Sequence, residues 1–387
     1  MKIKLLKTVF VAVLASLFLR FFCGLPERDF KGDAVSRDIL LRRSFLLSKL
    51  DNRPTSADFF VSKNIEFTGE WTLGTYSMAA AALTNIAMMA PETAEESAQA
   101  IARWIGICLT RDVFLFDEAA WGESPLEETV LAGEDGHIGY YGHLNLMLGC
   151  YALLSPDGRF ADLHGKISAA IARRMKKYPH RHVETYPGQN YPPDNTVAAA
   201  SLRIADMVSS PRYENLIEEW VSETRGLEVG PYGLVTFQID TLTGRPLQAS
   251  RGSNNGWNSF YLALVDEPYA REQFLKIRKF LLKRAGGFAF VREYPSGHSF
   301  AGDRDTGPVV GGIGATATAF TIAGAIREKD VGLRNDLLRS IELAGTTMTR
   351  DGQRRYAAAP IVGDAIILAM KTARSWRPLW KGPDEHE

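Results

Sequence analysis

The feature that most restricts this chain is a near-unbroken succession of amphipathic helical patterns. Apolar residues recur at intervals of three and four through 36–50, 75–90, 93–109, 138–154, 161–177, 194–209, 211–224, 256–264, 268–284, 311–326, 331–345 and 361–373. The links are short, and "SPDGRF" (155–160) and "SSPRYENL" (209–216) place turn residues directly before an apolar run. Short links between amphipathic helices favour antiparallel pairs. Twelve such helices in 387 residues fit an all-α fold, an (α/α)6 barrel in which six inner helices are ringed by six outer ones. An α-solenoid would show the same run of helices. One stretch departs from the pattern: "YGLVTFQIDTLTGRPLQAS" (232–250) alternates and bends at Thr-Gly, which predicts a small β-hairpin insertion. In a barrel the ends of the inner helices and their following loops form the concave surface where function is expected.

Composition narrows the partners. With 45 basic and 45 acidic side chains there is no electrostatic footprint for nucleic acid, and no glycine-rich phosphate loop or Cys-x-x-Cys pair is present. Cys23, Cys108 and Cys150 lie far apart in apolar sequence and read as buried free thiols. At the N-terminus Lys2, Lys4 and Lys7 precede "VFVAVLASLFL" (9–19), the pattern of a secretory signal or short signal anchor over residues 1–25, too short to read as a membrane span. This predicts an exported protein, periplasmic or held at the inner membrane. A polar arm or linker follows at 26–60, the barrel domain at 61–376 and a polar tail at 377–387.

The candidate chemistry centres on "DGHIGYYGHLNLMLGCYALL" (135–154), where Tyr140, His143, Met147 and Tyr151 fall on one helical stripe. A histidine on an apolar stripe is either a hydrogen-bonded core residue or a group facing a cavity. Three polar stretches precede inner-helix candidates: "HRHVETYPGQNYPPDN" (180–195), "RGSNNGWN" (251–258) and "GDRDTGP" (302–308). Gathered at one mouth of a barrel, they would suit a hydroxylated or charged ligand, with Tyr186, Tyr191 and Trp257 as stacking faces. Four of the seven histidines, His137, His143, His180 and His182, lie close in sequence, but their spacing matches no metal-ligand pattern, so no metal is expected.

The segment "YGHLNLMLGCYALLSPDGRFADLH" (141–164) resembles the bacterial linalool dehydratase/isomerase family, which has a GHLNLM-type helix running into a Gly-Arg-aromatic turn. Weaker likeness runs through "NIEFTGEW" (64–71), "TYSM" (75–78), "WGESPLEE" (121–128), "ETYPGQNYPPDNTVAAASLRIAD" (184–206), "GGIGATATAF" (311–320) and "RRYAAAPIVGDAIILA" (354–369). The resemblance implies an exported (α/α)6 barrel assembled as a cyclic homopentamer. It implies cofactor-independent acid/base chemistry on a small terpene alcohol. Carried over, His143 matches an active-site histidine, Met147 a substrate-facing methionine, Tyr76 a pocket tyrosine, and Glu66 an acid delivered from a neighbouring subunit. The family's two catalytic cysteines are replaced here by Thr185 and Asp194. A threonine hydroxyl cannot do the proton chemistry of a thiol, and a carboxylate suits a polar pocket better than a terpene one.

The resulting expectation is a hydro-lyase or isomerase acting on a small hydroxylated substrate. His143, Asp194, Glu66 and Tyr76 would do the chemistry, and Met147, Tyr140, Thr185, Tyr186, Tyr191 and Trp257 would hold the substrate. Two alternatives stand beside it. One is a carbohydrate-active (α/α)6 enzyme of the glycoside hydrolase kind using a carboxylate pair. The other is a membrane-tethered binding or assembly protein without catalysis.

Overall fold

Three of the described helices begin where a side chain takes up a free backbone amide. Ser36 accepts the amide of Ile39 at 3.3 Å, Asp266 that of Tyr269 at 2.8 Å and Asp330 that of Leu333 at 2.9 Å, each opening a helix. The computed structural model describes residues 11–23 except 12 and 20, 35–54, 65–295, 302, 303 and 306–376, with 65–67 as backbone only. Among the described residues from 35 onward there are fourteen helices of five residues or more. They are α1 (Arg37–Asp51), α2 (Ile65–Met89), α3 (Ala94–Cys108), α4 (Arg111–Trp121), α5 (Glu128–Ala132), α6 (Ile138–Leu154) and α7 (Ala161–Lys177). After them come α8 (Pro192–Val208), α9 (Glu214–Gly226), α10 (Gly252–Val265), α11 (Glu267–Phe280), α12 (Ala315–Arg327), α13 (Val331–Gly345) and α14 (Ile361–Lys371).

Helices α2, α6, α8, α10, α12 and α14 each pack on the next, and α14 packs back on α2. That closes an inner ring of six. Helices α3, α7, α9, α11 and α13 lie outside it beside the inner helices they follow, and α1 lies against α14. The molecule is therefore an (α/α)6 barrel. The division follows from sequence. Every residue of α6 from Ile138 to Tyr151 is buried, so this helix has no solvated face, whereas α7 buries one stripe that includes Ile167, Ala170 and Ile171. Small residues let the inner helices approach closely: a Cβ on Gly142 of α6 would stand 3.1 Å from the backbone nitrogen of Ala198 in α8.

The ring is sealed between first and last helices by a buried ion cluster. Asp38 of α1 takes Arg42 at 3.0 Å and Arg354 at 2.9 Å, together with Lys371 of α14. Burial works against the Asp38 carboxylate, but Lys371 and Arg42 more than offset it and hold the group well below its ordinary range.

Several expectations need correction. Helix α1 falls in the stretch 26–60 assigned to an arm, yet it is the outer partner of α14. Helix α2 begins at Ile65, ten residues before the expected start at 75, and α4 and α5 were not anticipated. Residues 232–250 turn back at Thr243-Gly244, where the Asp240 amide donates to the Arg245 carbonyl at 2.8 Å and the Leu247 amide to the Gln238 carbonyl at 2.9 Å, but the pairing is a single bridge and not an extended hairpin. Leu234–Val235 pairs with Glu228–Val229, and beyond it only single bridges join Ile239 to Asn190 and to Pro246. Three further two-stranded hairpins pair 282–285 with 288–291, 309–310 with 313–314 and 347–350 with 353–356. Each is too short for alternation to stand out. The three cysteines are buried free thiols. Among the described residues no helix is long and apolar enough to cross a membrane. The helical residues at 11–22 do expose Val11, Val13, Leu14, Leu17, Phe18, Phe21 and Phe22.

Candidate active site

A cavity of about 200 Å³ opens at the N-terminal ends of the inner helices. Its wall comes from Glu70, Trp71 and Gly74 of α2, His143 of α6, Pro193 and Asp194 of α8, Ser253, Asn254 and Trp257 of α10, and Thr316 and Phe320 of α12. Tyr186, Gln189, Tyr191 and Phe237 complete it from the loops. The contributing loops precede the inner helices, as the polar stretches at 180–195 and 251–258 suggest, and do not follow them, as the general expectation for a barrel has it.

Two asparagines fix those loops. Asn195 accepts the Val183 amide at 2.7 Å and donates to the Val183 carbonyl at 2.9 Å, which pins the 183–191 loop to the start of α8. Asn255 does the same for Val235, at 3.0 and 3.1 Å, from the start of α10. Both side chains are fully buried, and each satisfies a backbone donor and acceptor that would otherwise cost ~1–3 kcal/mol unpaired. The loop is further held by the Thr185 amide donating to the Gln189 carbonyl at 2.9 Å and by Trp121 Nε1 donating to the Thr185 carbonyl at 3.2 Å. It is a built wall rather than a solvated turn.

The floor is aromatic. The Trp257 ring lies 5.5 Å from His143 and 5.4 Å from Phe320, edge-on to both, and its Nε1 donates to the Pro193 carbonyl at 3.2 Å. The Tyr191 and Phe237 rings lie 5.0 Å apart and tilted, and the Arg251 guanidinium stands 3.8 Å over the Phe237 ring.

Two carboxylates face this cavity, Glu70 and Asp194. The Thr185 hydroxyl donates to Asp194 Oδ2 at 2.6 Å, so the two residues that the resemblance would set at cysteine positions contact each other. The Tyr186 hydroxyl is hydrogen-bonded to Glu70. Burial, reinforced by the Glu70 and Asp194 charges, raises the Tyr186 phenol far above its ordinary value, so it stays protonated and serves as a donor. His143 is almost fully buried, with Nδ1 2.9 Å from the Ser77 hydroxyl. Burial lowers its pKa to about 4, so the imidazole is neutral at pH 7. Behind the wall the Ser253 hydroxyl donates at 2.5 Å to the buried Glu293, whose carboxyl burial pushes up to about 7.

The cavity thus gathers His143, Asp194, Tyr186, Tyr191 and Trp257, and Thr185 supports Asp194. It does not gather Tyr76, Tyr140 or Met147. Tyr76 donates to the Leu50 carbonyl at 3.2 Å and Tyr140 to the Cys108 carbonyl at 3.0 Å, while the Met147 sulfur lies 4.0 Å from that of Cys108. All three are buried toward the outer helices. The Glu66 side chain lies outside the described residues. Glu70, four residues on in the same helix, is the acid that the sequence reading missed, although it stands inside the quoted "NIEFTGEW". Of the other histidines, His137 contacts Asp117 through Nδ1 at 2.5 Å, and His182 turns its Nδ1 to the His180 carbonyl at 2.6 Å. Among the described residues no three His, Cys, Asp or Glu side chains converge as metal ligands would.

No family model matches the sequence. Among solved structures the chain is similar to an unsaturated glucuronyl hydrolase specific for heparin, with a TM-score of 0.54 and 11% identity. The match covers 87% of this chain and 96% of that one. At that identity the likeness is one of fold, and it agrees with the ring of helices described above.

Proposed function

We propose that this protein is an acid/base enzyme that breaks a C–O bond in a small hydroxylated substrate, one carbohydrate ring being the size and chemistry that suit the site. The observation that carries this reading is the meeting of two carboxylates, Glu70 and Asp194, in one aromatic-walled cavity. A cavity of about 200 Å³ falls below the ~300–1,000 Å³ of sites for drug-sized ligands, so the substrate is small. Trp257, Tyr191 and Tyr186 offer flat faces to the apolar side of a ring, and Asn254, Gln189 and Ser253 offer hydrogen bonds to its hydroxyls.

Cleavage of an unactivated C–O bond needs a proton delivered to the leaving oxygen and a base to activate water or remove a proton. Asp194 fits the base. The Thr185 hydroxyl bonds to its carboxylate and favours the charged form. Glu70 is the other carboxyl group in the wall and takes the acid role by the division of labour between the two, with the Tyr186 hydroxyl fixing its position. His143, neutral and wedged against Trp257, orients the substrate rather than holding a charge.

A second reading, dehydration or isomerisation of a small alcohol in the manner of the linalool dehydratase/isomerase family, is favoured by one contact. Thr185 and Asp194, at the positions of that family's cysteine pair, touch each other in the wall. Export, with the exposed apolar residues at 11–22 as a tether, and a homo-oligomer in which Glu66 reaches a neighbouring site belong to the same proposal.

The test is turnover by the full-length chain on neutral aryl glycosides, disaccharides and short-chain and terpene alcohols, followed by NMR. Asp194→Asn and Glu70→Gln should each lower turnover of an accepted substrate by ~100-fold or more. An Asp194→Asn protein with undiminished turnover would refute the assignment. Robust dehydration of a terpene alcohol, with no action on glycosides, would select the second reading.

A further inference from the structure

Ser253, in the first turn of α10, joins the cavity wall to a carboxyl group buried behind it. That group belongs to Glu293, whose backbone is fixed on both sides. Its carbonyl takes the Gly252 amide at 2.6 Å, and its amide donates to the Gly312 carbonyl at 3.0 Å. The residue is fully buried, and a Cβ on Gly314 would stand 2.4 Å from Oε2, which leaves the carboxyl little room to turn.

The direction of the bond between these two side chains decides what Ser253 can offer a ligand. A hydroxyl has one hydrogen and two lone pairs. If Ser253 donates to Glu293, the hydrogen is spent and the oxygen is left as an acceptor. If Glu293 donates to Ser253, the hydroxyl hydrogen is free for the cavity. Oε1 receives the Ser253 hydroxyl at 2.5 Å and also the Ser253 amide at 3.4 Å. An amide N–H can only donate, so Oε1 turns lone pairs toward Ser253. When the carboxyl is neutral its proton belongs on Oε2, which among the described residues has no hydrogen-bond partner. Ser253 therefore donates in either charge state of Glu293.

We propose that Glu293 is a positioning residue that takes up the Ser253 hydrogen, and that Ser253 is thereby an acceptor which selects a ligand with a hydroxyl or N–H donor at its point of the wall. The nature of that ligand, a single carbohydrate ring, rests on the function proposed above. The direction of the Ser253–Glu293 bond does not, and it is measured without a ligand.

The experiment titrates the Glu293 carboxyl carbon by NMR in the full chain labelled with ¹³C-glutamate, the signal being assigned by its loss in Glu293→Gln. A donating hydroxyl stabilises the ionised carboxyl more than the neutral one. Ser253→Ala should therefore raise the proton affinity of Glu293 about tenfold, and Ser253→Thr should leave it near the wild type. Ser253→Cys, with a weaker donor in the same place, should shift it the same way by less, and serves where the alanine variant does not fold. A fall in proton affinity, the sign of a carboxyl that donates to the hydroxyl, would overturn the proposal, as would no change. The selection is read from affinities for methyl β-D-glucopyranoside and its monodeoxyfluoro analogues, in which a fluorine that cannot donate replaces one hydroxyl. The wild type should lose about tenfold at one position, and Ser253→Ala should lose nothing further there. Equal penalties in the two proteins at every position would overturn the selection. Binding of none of these probes, together with no turnover of any glycoside, would sink the ring reading and the selection with it, and leave the direction of the bond standing.

Discussion

Replacing Glu293 by Gln should flatten the dependence of stability on pH between 4.5 and 8, because the folded protein holds this carboxyl in its neutral form. Glu293 is fully buried, its Oε1 accepts from the Ser253 hydroxyl at 2.5 Å, and its Oε2 has no hydrogen-bond partner. Gly314 is what leaves room for that second oxygen, since a Cβ there would stand 2.4 Å from it. Burial is the leading influence and raises the carboxyl from 4.5 to about 7, while the Ser253 hydrogen bonds and the Arg251 charge pull the other way. Asp303 adds to the rise.

The sign follows directly. The folded state binds the proton more tightly than the unfolded chain, so the stabilisation is complete below 4.5 and is lost as pH rises through about 7. The full effect is ~3 kcal/mol, at ~1.4 kcal/mol for each tenfold change in proton affinity. Glutamine keeps an acceptor for Ser253 and nearly the same volume, but cannot ionise. Urea unfolding of the full chain at pH 5 and at pH 8 checks this. The wild type should lose up to ~3 kcal/mol more than Glu293→Gln across that interval. Asp364, which burial also raises to about 7, titrates in both proteins and cancels in the comparison. Parallel pH curves for the two proteins would refute the reasoning.

Asp38→Ala should cost ~3–5 kcal/mol at pH 7, because it leaves Arg42 and Lys371 buried without their shared carboxylate; urea midpoints measure it. The Asp38 contribution should be full above pH 3.8, the ordinary value, and be lost as pH falls below it, so the wild type should weaken in acid where Asp38→Asn does not follow. Gly252→Ala should destabilise by ~1–3 kcal/mol in the same assay, since the new Cβ would meet the Arg292 carbonyl oxygen at 2.2 Å, a backbone atom that cannot swing aside.

The barrel was legible in the sequence because outer helices such as α7 and α11 are one-sided, and one-sidedness is what periodicity detects. The inner helices hide more. Helix α6 is apolar on every side, so no stripe separates residues that face the cavity from those that face α3. His143 looks into the cavity, whereas Tyr140 and Met147 reach toward Cys108 of α3. Their shared stripe with His143 carried no information about direction. The early start of α2 was concealed by Gly69 and Gly74, which read as breakers in isolation. In the fold Gly69 is where α2 passes α4 closely, since a Cβ would stand 2.7 Å from the Val113 carbonyl oxygen. Glu70 was missed for the same reason, since without a helix through 65–74 it had no assigned place beside the site.

The all-round burial that hides direction in the inner helices also explains where chemistry can sit. A helix like α6, flanked by α3 on one side and by its inner-ring neighbours on the others, has no room for an ionised group along its middle without a partner. Charge can be accommodated at the ends, where loops supply donors. Asp194 meets the Thr185 hydroxyl there, within the first turn of α8, and the helix N-terminus favours its negative charge. Glu70 meets the Tyr186 hydroxyl from the same loop. The loop at 183–191 therefore serves both carboxylates at once, and Asn195, which pins it, is the residue through which a distortion of the loop would reach both. Asn195→Ala should disturb Glu70 and Asp194 together, whereas Thr185→Val should disturb Asp194 alone; separate pH profiles of turnover for the two variants would distinguish a shared support from two independent ones.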